Sequence, residues 1–237
     1  MATHYNPKIV TDNLVLYLDA ANAKSYPGSG TAWKDLSGKG HDATLVSSPP
    51  HSTTNGGYFY FDGSTNDYAT LPAIDLTGNE LTFNIWTLTL DASNVSSLIF
   101  LGDSGDSSGW SGRQLNVHSL PYSNTAFYFD KGFDGSTVDR LSGSLSFSDY
   151  QGWVNWTFTA NASTGSMKMY RNGTLFNSAT GKTRTLGNAN GDIRRIARGA
   201  TAATYNGYIS NLQLYKQELS SAEVTQNFNA IRNRFGV

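Results

Sequence analysis

The groups that could do chemistry in this chain are few. There are three glutamates, Glu80, Glu218 and Glu223, and four histidines, His4, His41, His51 and His118. Hydrolysis of a glycosidic bond needs two carboxyl groups about 5–9 Å apart, one acting as acid and the other as nucleophile or base. Acidic residues two or three apart on one strand would supply such a pair. None of the three glutamates is so placed: Glu80 falls at a strand edge, Glu218 in a turn and Glu223 in a helix cap. No histidine accompanies a Ser or Cys nucleophile motif. The chain therefore reads as a non-enzyme, with no catalytic residues and no organic cofactor.

Oxygen ligands and aromatic rings are better represented. Calcium takes six to eight oxygens, commonly from several carboxylates. The run Gly102-Asp103-Ser-Gly-Asp106-Ser-Ser-Gly109 is rich in oxygen but lacks a third spaced acid. Sugars pack their CH faces on aromatic rings while their hydroxyls pair with amides, hydroxyls and charged groups. Trp110, Arg113 and Tyr122 lie in and beside this long Gly/Ser loop and are the candidate saccharide platform. The structural alternative is that Trp110 tucks inward and anchors the loop. Lys182, Arg184, Arg194, Arg195 and Arg198 form a basic region. Adjacent residues of a strand point to opposite faces, so Arg194 and Arg195 do not make one phosphate patch. A solvated face or an interface salt bridge is the expected role.

The elements that must position these groups are strands. Val154, Trp156, Phe158 and Ala160 fall on one face, and Asn155, Thr157 and Thr159 on the other, the period of a half-buried strand. Asn172-Gly173 then predicts a type I′ hairpin turn between two further strands. Leu81–Leu90 alternates with apolar residues on both sides, which predicts a sheet covered on both faces for part of its length. Further strands are expected at 14–19, 58–61, 68–71, 97–101, 114–118, 126–130, 138–141, 193–197 and 208–215. Short strands separated by turns give an all-β antiparallel sandwich. One helix is expected over about 220–233. Ser220 and Glu223 form its capping box, and Val224, Phe228, Ile231 and Phe235 its apolar stripe.

Composition narrows the function. The 237 residues carry a net charge of −1, and only 15% are charged. Such a surface gives no basis for binding nucleic acid or an anionic membrane. Cysteine is absent, so neither disulfides nor thiolate metal sites form. The first thirteen residues, MATHYNPKIVTDN, lack the apolar stretch of a signal peptide and read as an N-terminal arm (1–13) ahead of one sandwich domain (14–237).

The order of motifs resembles the laminin-G-like jelly-roll family, whose members share the concanavalin A-like lectin/glucanase sandwich, and most closely the variety found in structural proteins of tailed bacteriophages. The matching pieces are Leu14-Val-Leu-Tyr-Leu-Asp19, Trp33-Lys-Asp35-Leu-Ser37-Gly38, Phe61-Asp62-Gly63 with Asp67-Tyr68, Leu81–Trp86, Trp153–Gly173, and Tyr205-Asn206-Gly207-Tyr208 through Glu223. The chain departs from the family at Asn84-Ile85, where relatives carry a small or acidic residue before the Trp. The resemblance implies two packed antiparallel sheets with the first and last strands adjacent. It also implies that Asp19, Asp62 and Asp67 could converge on calcium. The function it implies is a non-enzymatic structural protein exposed on a virion, as a capsid decoration or tail accessory, made in the host cytoplasm. Its expected partners are other capsid or tail proteins and a possible second copy of itself. The alternative is a carbohydrate-binding module for host surface glycans.

Overall fold

The computed structural model describes residues 7–64, 66–91, 95–102, 112–118, 120–122, 125–187, 191–200 and 204–237. In chain order the strands are β1 (Leu14–Asp19), β2 (Ala32–Trp33), β3 (Ala43–Val46), β4 (His51–Ser52), β5 (Tyr58–Asp62), β6 (Tyr68–Thr70), β7 (Glu80–Thr89) and β8 (Ser97–Gly102). They continue with β9 (Leu115–His118), β10 (Ala126–Lys131), β11 (Asp139–Ser144), β12 (Val154–Asn161), β13 (Ser166–Arg171), β14 (Thr174–Ala179), β15 (Ile193–Ile196) and β16 (Asn206–Tyr215). Helix α1 (Phe147–Tyr150) is a single turn, and α2 (Ser221–Ile231) closes the chain with a 3₁₀ turn at Arg232–Arg234.

The strands form two antiparallel sheets. The first runs β14-β13-β12-β7-β16-β5-β4, with β1 also paired to β16. The second runs β11-β10-β9-β8-β15-β6-β3-β2. The all-β sandwich is therefore as expected, and Leu18 facing Leu212 sets the first strand beside the last. The core fills the space between the sheets. Phe83, Trp156, Phe158 and Leu212 enter it from the first, and Trp33, Leu101, Val117, Phe129 and Ile196 from the second. Asn172 and Gly173 have φ of 50° and 77°, the left-handed pair that a type I′ turn requires.

Helix α2 covers part of the outer face of the first sheet. Trp86 of β7 stacks on Phe228 of α2 and on Phe235 beyond it, with ring centres 5.7 and 4.3 Å apart. Residues 8–10 join this cover. The Val10 N–H donates to Asn227 Oδ1 at 2.8 Å, Asn227 Nδ2 to the Tyr215 hydroxyl at 3.0 Å, and that hydroxyl to the Val10 carbonyl at 3.1 Å. The described part of the N-terminal arm is thus held by the chain's own last helix. Asn84, at the departure from the family pattern, has a role beneath this cover. It accepts from Asn155 and Thr157 and donates to Gln213, at 2.9, 2.6 and 2.6 Å. Among the described residues no helix packs on the outer face of the second sheet, and none is long and apolar enough to cross a membrane.

Candidate functional site

Strand alternation builds a polar cluster on the outer face of the second sheet. Leu115 and Val117 of β9, Phe127 and Phe129 of β10, and Leu141 of β11 enter the core. Asn116, His118, Tyr128, Asp130 and Arg140 therefore point outward. The register sets Asp130 directly between Asn116 on one side and Arg140 on the other. Arg113 precedes β9 and Tyr122 follows it.

Asp130 is the hub and is fully buried. Arg140 grips it with two donors, Nε at 2.6 Å and Nη2 at 2.7 Å. Arg113 Nη1 donates at 2.8 Å, and His118 Nε2 lies 3.4 Å away. Burial by itself would raise the Asp130 carboxyl, but the hydrogen bonds of Arg140 and His118 outweigh it and hold the pKa far below the usual carboxylate range. Burial also lowers the pKa of His118. Asp130 opposes that shift, and Arg113 and Arg140 reinforce it. Three rings frame the cluster. Tyr122 and Tyr128 meet His118 edge-on, with centres 4.9 and 5.6 Å away, and each other at 5.1 Å. The Arg140 guanidinium lies 4.5 Å from the centre of the Tyr128 ring. Both tyrosines are partly exposed. Asn116 Nδ2 is 2.8 Å from His118 Nε2, yet Asn116 Oδ1 and His118 Nδ1 are buried with no hydrogen-bond partner. Rings at the surface above a preorganised net of donors and acceptors suit a hydroxyl-rich ligand.

Of the platform residues named from sequence, Arg113 and Tyr122 come together here, linked through Asp130 and His118; Trp110 lies outside the described residues. Asn116, His118, Tyr128, Asp130 and Arg140 were not singled out for this site. Their signal was available: polar and aromatic residues at alternate positions of three expected strands. What was missing was that these strands are neighbours.

The acids do not assemble as expected for calcium. Asp19 lies opposite Asn211 of β16 and Asp62 opposite Asn206. That five-residue separation is about 16 Å along a strand. Asp19 is instead taken up by Arg234 Nη1, 2.9 Å from both carboxylate oxygens, and by the Tyr17 hydroxyl at 2.9 Å. Asp67 Oδ2 accepts from the Asp62 N–H at 3.0 Å. Among the described residues no three acids or histidines gather closely enough to hold a metal ion. Asp103 and Asp106 lie outside the described residues.

The glutamates take structural parts. Glu80 accepts from Asn161 Nδ2 and the Glu218 N–H, Glu218 pairs with Lys168 at 2.7 Å, and Glu223 caps α2. In the basic region, Arg184 bridges Asp134 and Asp139 of its own chain, at 2.9 and 3.0 Å.

Comparison with known proteins agrees with this architecture. No curated protein matches the chain. Among solved structures, the receptor-binding domain of botulinum neurotoxin type G superimposes with a TM-score of 0.67 at 18% identity, over 92% of this chain and 51% of that one. The binding domain of paraclostridial mosquitocidal protein 1 gives a TM-score of 0.69 at 16% identity, over 93% and 52%. The binding domain of botulinum neurotoxin DC, solved in complex with rat synaptotagmin II, gives 0.68 at 14% identity, over 94% and 52%. The chain spans about half the length of each, and the likeness is one of fold. A laminin G family profile, described as the concanavalin A-like lectin/glucanases superfamily, matches residues 62–225, and the chain belongs to that family.

Proposed function

We propose that this chain is a non-catalytic binding module that recognises saccharides of a host cell surface through the outer face of its second sheet. The observation that carries this reading is the convergence of Tyr122, Tyr128, Arg113 and Arg140 around a buried His118–Asp130 pair on the outer face of the second sheet. Membership of a lectin-containing family supports it. So does likeness in fold to domains described as receptor-binding or binding domains of toxins. The structural duties of Glu80, Glu218 and Glu223 support the absence of catalysis. A glycan array tests the proposal. The wild-type protein is expected to bind a defined saccharide set, and Tyr128→Ala or Tyr122→Ala to weaken binding about tenfold, the effect of losing roughly 1.4 kcal/mol. A wild-type protein that binds no glycan overturns it.

The motif order, resembling phage structural proteins, favours one setting for such a module: display on a virion, docked to capsid or tail proteins. Mass spectrometry of purified particles tests this setting. Absence of the protein from the particles would remove it and leave the binding function standing.

A further inference from the structure

A second polar cluster lies on the same sheet face. Ile196 of β15 and Ala69 of β6 enter the core, so Arg195 and Tyr68 face outward on neighbouring strands. Strict alternation would then carry Arg198 away from that face. It does not, because Ala197 adopts φ 66°, a left-handed conformation that residues other than glycine seldom take. The chain turns there, and the Arg198 guanidinium lies 4.8 Å from the centre of the Tyr68 ring. The Arg195 guanidinium lies 5.4 Å from the same centre.

Arg113 and Arg140 pair with Asp130, Arg184 with Asp134 and Asp139, and Arg234 with Asp19. Neither Arg195 nor Arg198 forms a salt bridge with a described carboxylate. Arg195 donates to the Gly199 carbonyl at 3.2 Å, and Arg198 Nε is buried with no hydrogen-bond partner. Asp192, which is exposed, acts on Arg195 only through space. Burial and the charge of Arg198 both lower the pKa of Arg195. Two planar guanidiniums drawn to one ring, with a donor that has no partner, match the multidentate acceptor of an oxyanion.

We propose that Arg195, Arg198 and Tyr68 form a subsite for the carboxylate or sulfate group of an acidic saccharide. The saccharide in this assignment rests on the binding function proposed above, whereas the anion rests on the geometry of the pair. β15 is two strands from β9 in the sheet order, about 10 Å across, so one oligosaccharide can reach both clusters. A nucleic-acid backbone fits less well. It is gripped through many neutralised phosphates, and this site brings two guanidiniums together in a chain of net charge −1.

The test is an array of matched oligosaccharides, each in neutral, carboxylated and sulfated form, probed with the wild type, the Arg195→Gln/Arg198→Gln double variant and Tyr128→Ala. The wild type is expected to prefer at least one acidic form about tenfold over its neutral parent, less so as salt rises. The carboxylated and sulfated members show which anion is recognised. The double variant should lose that preference and keep neutral binding, whereas Tyr128→Ala should weaken both. Equal binding of neutral and acidic forms by the wild type overturns the subsite and leaves the binding function intact. Absence of all glycan binding overturns the binding function and this saccharide assignment with it. In that case a melting temperature raised by inorganic sulfate in the wild type, but not in the double variant, would still support the anion site; no such difference would remove it too.

Discussion

His118 is a buried imidazole beside Asp130 and two tyrosines, and its titration is a property of that setting. Its pKa in the folded protein lies below the value near 6.5 of an unfolded chain. At higher pH both states carry it neutral, and it adds no pH dependence. As pH falls below about 6.5 the unfolded chain takes up the proton first, so stability declines on the acid side of neutrality. Asp130 acts in the same direction at lower pH. Its folded pKa is depressed, and its contribution is lost as pH drops below the usual carboxylate value near 3.9. Melting curves between pH 5 and 8 should show a falling midpoint toward acid, flatter in His118→Gln. A wild-type midpoint constant across that range would mean that the imidazole is not a buried neutral group. None of this was legible in the sequence, where His118 is one of four scattered histidines. Arg113 and Tyr122 could be picked out, because their place beside a long Gly/Ser loop is itself a sequence property.

At the level of elements, the hairpin and the helix were the most legible parts, and the structure joins them. Gly173 closes the β13–β14 turn at φ 77°, and a Cβ placed there would lie 3.1 Å from Cδ1 of Phe228 on α2. Gly173→Ala is expected to destabilise the protein by about 1 kcal/mol or more, through left-handed strain together with the displaced ring. Ser220→Ala, which removes the N-cap of α2, should cost about 1 kcal/mol. Urea unfolding midpoints measure both, and an unchanged midpoint in either variant would show that its contact does not matter. The short elements were not legible. A two-residue strand such as β2 or β4, or a one-turn helix such as α1, has no period to read. The boundaries of β11 also shifted. Residues 138–141 were expected, but the strand runs from Asp139 to Ser144 because β10 supplies a pairing partner that extends it past its apolar residues. In the same way, alternation separated Arg194 from Arg195 but gave no warning of Arg198, whose position depends on a left-handed alanine.

The whole molecule is a sandwich with unequal sides. One sheet lies partly under a terminal helix, with a buried amide network between them, and the other carries the Asp130 cluster on its outer face. The division follows from where each strand's outward residues fall. Trp86, Tyr170 and Tyr215 need a cover, whereas Tyr122, Tyr128 and Arg140 do not. The cover is fastened at its far end by Arg234 on the fully buried Asp19. Arg234→Ala would leave that carboxylate without its cation, at an expected cost of about 3 kcal/mol. Chemical denaturation should show the loss, and a change below about 0.5 kcal/mol would place the fastening elsewhere. The fold class was legible because alternation and turns recur along the whole chain, whereas the site was not, because the register that sets Asp130 between Asn116 and Arg140 cannot be read from the period of each strand. One consequence concerns how the protein can be handled. Residues 8–10 and the last turn both lie against the covered sheet, on the side away from the tyrosines. A tag or bead coupled through the C-terminal end would therefore stand behind the molecule and leave the face of Tyr122 and Tyr128 toward the solution, so capture on a sensor chip by its tail should not blunt the proposed binding.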